Sequence, residues 1–176
     1  PGGIPVQLLE PATASLLEQL HRDAPWYVLR TILRLLGEVG GPAHFAAVRP
    51  FLAHPDLRVQ QEVLTTARRI GGTQTADFLL EALQSVPDAL TTTVVQHAAE
   101  VHDERFVRPL TDLLERPRRF LGKNGDDLQL AICRTLGAIG STQATATLGR
   151  VAASRTVPGL EGTTEAVRQA AARALA

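Results

Sequence analysis

The stretch PWYVLRTILRLLGEVGG, residues 25–41, decides the fold, because the chain repeats its pattern four more times. Beneath it align HPDLRVQQEVLTTARRIGG (54–72), VPDALTTTVVQHAAEVHD (86–103), GDDLQLAICRTLGAIGS (125–141) and TEAVRQAAARALA (164–176), with no gap inside any segment. One column reads Val28, Val59, Leu90, Leu128 and Val167, and a second Ile32, Val63, Val94, Ile132 and Ala171. A third reads Leu36, Ala67, Ala98, Leu136 and Leu175, and a fourth Val39, Ile70, Val101 and Ile139. Offsets of 0, 4, 8 and 11 residues stay on one face of a 3.6-residue helix, so the spacing predicts five amphipathic helices. The first-column residues lie 31, 31, 38 and 39 apart, a period near 31 with inserts in the last two units.

Pro25, Pro55-Asp56, Pro87-Asp88 and Asp126-Asp127 stand at the entrances of these helices, where they pre-set the first turn or cap its free amides. Gly40-Gly41, Gly71-Gly72 and Gly140, with His102 in the third unit, stand where a chain leaving a helix adopts positive φ. Between each stop and the next start runs a second helical pattern: Pro42 to Ala53, Thr73 to Gln84, Asp103 to Glu115 and Thr142 to Ala153. Its columns are Phe45, Ala76, Val107 and Thr145; Val48, Leu79, Leu110 and Leu148; and Leu52, Leu83, Leu114 and Ala152. A half-unit at Thr13 to Leu20 supplies the first partner helix. Two antiparallel helices per repeat predict an all-α fold, an α-solenoid of about five helical hairpins in one domain, with units near 12–41, 42–72, 73–102, 103–140 and 141–176. Each hairpin buries one side against itself and the other against its neighbour. The Ala-rich last helix, Ala170 to Ala172 and Ala174, is left with an apolar side, so we expect a longer parent protein or a dimer at that end.

Composition agrees with helices. In 176 residues 44% are hydrophobic but only 4% aromatic. Lys plus Arg and Asp plus Glu are both 18, so no bulk charge draws the chain to nucleic acid or an anionic membrane, and an electrostatic function has to be local. The single cysteine, Cys133, has no intrachain partner, and no apolar run reaches the roughly 20 residues of a membrane span. A reducing, cytoplasmic setting is expected.

AVRQAAARAL (166–175), LLGEVG (35–40) and DERFVRPL (103–110) resemble the HEAT-repeat superfamily, and within it the short-period PBS-lyase HEAT-like repeats. The resemblance spans residues 12–176 and implies a scaffold or adaptor that binds other proteins, the role of most of that superfamily. A minority of its members are enzymes that attach bilins, hydroxylate a modified lysine on iron or excise damaged DNA bases. The iron-dependent branch uses His-Glu pairs in several repeats, and this sequence has no His-Glu dipeptide. Its five histidines, His21, His44, His54, His97 and His102, fall in different columns, mostly at helix ends. No metal site, cofactor or catalytic centre is expected.

The remaining candidates for chemistry read as structural. His97 shares a column with Leu35, Thr66, Thr135 and Ala174 that points to the neighbouring repeat, with Glu100 and Asp103 near in sequence, and reads as a partly buried helix-end residue. Cys133 takes the place of Leu33, Leu64, Val95 and Ala172 and reads as a small apolar filler. Gly122-Lys123-Asn124-Gly125 lacks phosphate-loop spacing and precedes Asp126-Asp127, which repel phosphate. Trp26 and Tyr27 read as packing near Leu17 and Leu20, with an exposed binding anchor as the alternative.

Two features point to partner binding. Two and six residues after the first core column, side chains point away from the core. The first set is Arg30, Gln61, Thr92, Leu130 and Gln169; the second is Arg34, Thr65, Gln96, Arg134 and Arg173, with Arg68 close by. The resemblance implies that this second helix lines the concave side. A face of Arg, Gln and Thr without Asp or Glu suits a carboxylate or the backbone of a protein or peptide, an acidic one included. The second feature is the insert 116–125, where Arg116, Arg118, Arg119 and Lys123 accompany Phe120 and Leu121. The favoured function is therefore a non-enzymatic interaction scaffold binding a partner on this face and loop. A nucleic-acid-binding HEAT-like module and a bilin-lyase-like enzyme subunit stay open as alternatives, and self-association through the last helix is a further expectation.

Overall fold

A computed structural model describes residues 6–21, 23–116, 125–154 and 164–175. Among the described residues every regular element is helical: α1 Val6–Glu18, α2 Trp26–Val39, α3 Phe45–Val48, α4 Leu57–Ile70, α5 Gln74–Ser85, α6 Asp88–Val101, α7 Val107–Leu114, α8 Gly125–Ile139, α9 Thr142–Ala153 and α10 Glu165–Ala174. No helix among them is long and apolar enough to cross a membrane. The chain divides into two compact units, Pro1–Ala82 and Leu83–Ala176, and the division falls in the last turn of α5. Each unit stacks helical hairpins, so the all-α, solenoid-type architecture expected from the repeat is present.

In the first unit α2 packs on α4. The second column is buried throughout the chain, at Ile32, Val63, Val94, Ile132 and Ala171. The first is buried except in α2, where Val28 is half-buried and Leu29 takes the core position. Repeats are tied by a hydroxyl at one recurring position. Thr66 Oγ1 donates to the Leu33 carbonyl at 2.9 Å, joining α4 to α2. At Thr66 the column assigned to face the neighbouring repeat does so, whereas Leu35 in the same column is exposed.

The expected helix from Pro42 to Ala53 is broken into a 3-10 turn at Pro42–His44, the single turn α3 and a second 3-10 stretch at Arg49–Ala53. Proline supplies the reason: Pro50 has no N–H to donate to the carbonyl four residues back, so the α ladder stops there. Phe45, Val48, Phe51 and Leu52 still reach the core. α1 differs in the other direction, beginning seven residues before Thr13 and running through Pro11, a residue that usually marks a first turn.

In the second unit α6, α8 and α10 pack side by side, with α7 against α8 and α9 against α7 and α10. Thr135 Oγ1 donates to the Val95 carbonyl at 3.0 Å, the counterpart of the Thr66 bond, and Glu115 accepts from Thr147 and Arg150 of α9. Two columns shift here. Thr145 is exposed and Ala144 buried, because the Ser141 cap sets the start of α9 so that Ala144, Thr147 and Leu148 face inward. Leu175 is 41% exposed, since α10 ends at Ala174 and the next residue leaves its apolar face. In the fourth column only Ile70 is buried; Val39, Val101 and Ile139 are half-buried.

The helix stops are partly as read. Gly71 and Gly140 have φ of 70° and His102 has φ of 55°, all left-handed, but Gly40 has φ of −81° and Gly41 of −141°. Glycine is required at 40 for a different reason: a Cβ there would lie 2.4 Å from the Leu36 carbonyl oxygen. His102 bears the left-handed strain that glycine avoids, so His102→Gly should raise stability by about 1 kcal/mol. Urea unfolding tests this, and an unchanged or lower midpoint would contradict it.

Candidate functional site

Helices α6, α8 and α10 present one residue of each repeat at the same register, Gln96, Arg134 and Arg173, all exposed. The reason is local: each stands six residues after a buried core residue, Leu90, Leu128 or Val167, which turns it to the opposite side of its helix. Two adjoining hollows lie along this face. One, of about 460 Å³, lies between α8 and α10 and is floored by Gly137, Ala170 and Ala174, with Arg134, Gln169 and Arg173 around it. The other, of about 490 Å³, lies between α6 and α8 and takes in Thr92, Gln96, Ala99 and Asp127. Leu130 and Arg134 belong to both. The result is a groove across three helices with small residues beneath and guanidinium groups at its side.

Arg134 and Arg173 make no ion pair or hydrogen bond with any described residue. In a typical solvated face such groups find acids, as they do in the first unit. There Arg30 Nε lies 3.2 Å from Glu62 Oε2 and Arg69 Nη1 lies 3.7 Å from Glu38 Oε1. Arg34 and Gln61 are exposed and Arg68 is half-buried. The acid-free face read from two columns is thus corrected: Glu62 reaches Arg30 from the following repeat, and Asp127 lines the groove of the second unit. Neither residue was in the columns considered: Glu62 reaches Arg30 from a different offset of the adjacent repeat, and Asp127 stands one residue before the first core column of its own.

The insert is placed only at its two ends, Arg116 and Gly125. Arg116 is exposed and lines a separate hollow with Leu83, Gln84, Arg108 and Asp112, away from Arg134 and Arg173. Arg118, Arg119, Phe120 and Lys123 lie outside the described residues.

Trp26 has an unforeseen neighbour. The Arg58 guanidinium carbon sits 3.4 Å from the Trp26 ring centroid, a cation–π contact between α2 and α4. Tyr27 meets Trp26 edge to face at 5.8 Å and is 57% exposed. Arg58 in turn grips Asp56 through Nε and Nη2, and with its backbone amide holds the Asp56 carboxyl down at about 2. Asp103 and Arg105 repeat this arrangement, which lowers the Asp103 carboxyl in the same way.

The other candidates are structural. Cys133 is fully buried, and burial pushes its thiol up to about 11, so it fills space rather than acting as a thiolate. Two histidines serve the backbone: His44 Nδ1 accepts from the Gly41 amide and His54 Nδ1 from the Asp56 amide, both at 3.0 Å. His97 is half-buried. Gly137, Ala170 and Ala174 were missed as groove residues, although their smallness at a surface between repeats was a readable signal.

A family model described as HEAT repeats matches residues 13–100, half of the chain. No curated protein matches the sequence.

Proposed function

This chain belongs to the HEAT-repeat family, and on that footing we propose that it is a non-enzymatic interaction module that binds a protein segment in the groove of α6, α8 and α10. HEAT repeats commonly serve as scaffolds for protein interaction. The observation that carries the reading is the pair Arg134 and Arg173, exposed and without an ionic partner among the described residues, beside a hollow floored by glycine and alanine. An open guanidinium fork is suited to bidentate recognition of a carboxylate or to peptide carbonyls, and the small floor lets a backbone approach. Zero net charge and Asp127 in the same groove favour a protein over a phosphate backbone. Arg34 and Gln61 offer a polar face in the first unit, with Arg30 and Arg68 beside them. Arg116 and the insert residues Arg118, Arg119, Phe120 and Lys123 form a second proposed contact region. A cytoplasmic setting, supported by the buried free thiol of Cys133, belongs to the same reading.

Selection of a displayed random-peptide library on the full chain tests it. Selected peptides should lose at least tenfold in affinity, about 1.4 kcal/mol, when Arg134→Glu and Arg173→Glu are combined, with helicity unchanged. Asp23→Lys, at an exposed residue of the first unit, should leave them bound. Equal binding to wild type and the double variant would remove the groove as the site.

A further inference from the structure

Resting on that groove reading, the spacing of its cations specifies the occupant further. We propose that the groove takes an acidic segment of a partner protein in the polyproline II conformation, with carboxylate side chains three residues apart seated on Arg134 and Arg173.

The argument begins with register. Arg134 and Arg173 occupy the same position in successive repeats, on helices that pack side by side. Their roots are therefore separated by about one interhelical spacing, 8–10 Å. Contact between α8 and α10 is close, because a Cβ on Gly137 would fall 2.8 Å from the Ala174 Cβ. A polyproline II chain has three residues per turn and rises about 3.1 Å per residue, so every third side chain returns to the same side after about 9 Å. A β-strand returns its side chain after two residues, about 6.6 Å, which is short of one helix spacing. Four strand residues, about 13 Å, overshoot it. Among extended conformations, polyproline II is the one whose side-chain repeat equals the helix repeat of the groove.

Charge distribution fixes where along the helices the segment runs. Asp127 stands seven residues before Arg134, and Glu165, which accepts from Gln169 Nε2 at 3.0 Å, stands eight before Arg173. At 1.5 Å per residue these acids lie about 10 and 12 Å from the arginines along α8 and α10. Of these two acids Asp127 lines the groove, whereas Glu165 is ion-paired with Arg168. A chain of carboxylates crosses the helices at Arg134 and Arg173 and is repelled from Asp127. At the third register position Gln96 supplies an amide that hydrogen-bonds the next residue in the series. Gly137, Ala170 and Ala174 leave room for flat proline rings between the anchored carboxylates. A segment already held in polyproline II gives up little conformational freedom on binding.

Fluorescence anisotropy with three labelled peptides tests the proposal on the full chain. The first carries the sequence Glu-Pro-Pro-Glu-Pro-Pro-Glu, the second has the same composition with its three glutamates adjacent, and the third replaces Glu by Gln in the first. The spaced acidic peptide should bind at least tenfold tighter than either control. Arg134→Gln and Arg173→Gln should each weaken it about tenfold, with circular dichroism unchanged because both side chains are exposed. Equal binding of the clustered peptide would overturn the register, and no binding of the spaced peptide would overturn the occupant. Tighter binding of an oligothymidylate that the same substitutions abolish would overturn it in favour of nucleic acid. If the spaced peptide fails while library-selected peptides still depend on Arg134 and Arg173, the acidic occupant falls and the groove stands. If those peptides are indifferent as well, both readings fall.

Discussion

Phe78→Ala should lower the stability of the chain by about 3–5 kcal/mol, the largest effect expected of any single truncation in the first unit. Phe78, on α5, is 2% exposed, and its ring meets Phe45 edge to face with centroids 5.4 Å apart. Two terms add. Removing the ring forfeits its burial and opens a cavity, and Phe45 loses an aromatic partner worth about 0.5–1.5 kcal/mol beyond area alone. The surroundings are poorly able to refill the space, because the chain has only five phenylalanines and one tryptophan and relies elsewhere on Leu, Val and Ala. Urea unfolding followed by circular dichroism measures the loss. Phe78→Leu, which retains most of the volume, should cost less than half as much. A loss below 1 kcal/mol for the alanine variant would show that the ring is not packed in this way.

Two glycine-to-alanine changes should have opposite signs. Gly149→Ala, in the interior of α9, meets nothing within 4 Å and should stabilise by about 0.5–1 kcal/mol, the helix-propensity difference between the two residues. Gly137→Ala, in α8, places its Cβ 2.8 Å from the Ala174 Cβ and 3.0 Å from its Cα. Backbone has to move, and overpacking of this kind costs about 1–3 kcal/mol. The same atoms floor the groove, so Gly137→Ala should also weaken binding of the spaced acidic peptide by moving α10 away from α8. Thermal unfolding of both variants supplies the comparison. Stabilisation by both would mean that α8 and α10 are further apart than described.

The repeat was legible because burial recurs on one helical face. Ile32, Val63, Val94, Ile132 and Ala171 form a column in the sequence and a buried row in the fold. Helix stops at Gly71, Gly140 and His102 were equally legible, since a left-handed residue is needed where a helix turns into its partner. The interruption around Pro42 and Pro50 was harder to see: apolar periodicity continued while the hydrogen-bond ladder did not. At the site, columns identified Gln96, Arg134 and Arg173 as outward-facing. They did not reveal that Arg30 is neutralised by Glu62 while Arg134 and Arg173 have no ionic partner among the described residues, or that Arg58 covers Trp26.

By itself the sequence determined the repeat, the helical hairpins and which side of each second helix faces solvent, because those follow from periodicity within a single helix. Only the tertiary structure decided which charges cancel, where α8 and α10 approach closely enough to form a small-residue floor, and which cations are left facing the groove. Those properties depend on distances between side chains from different repeats, over 30 residues apart in the chain, and no pattern within one helix encodes them.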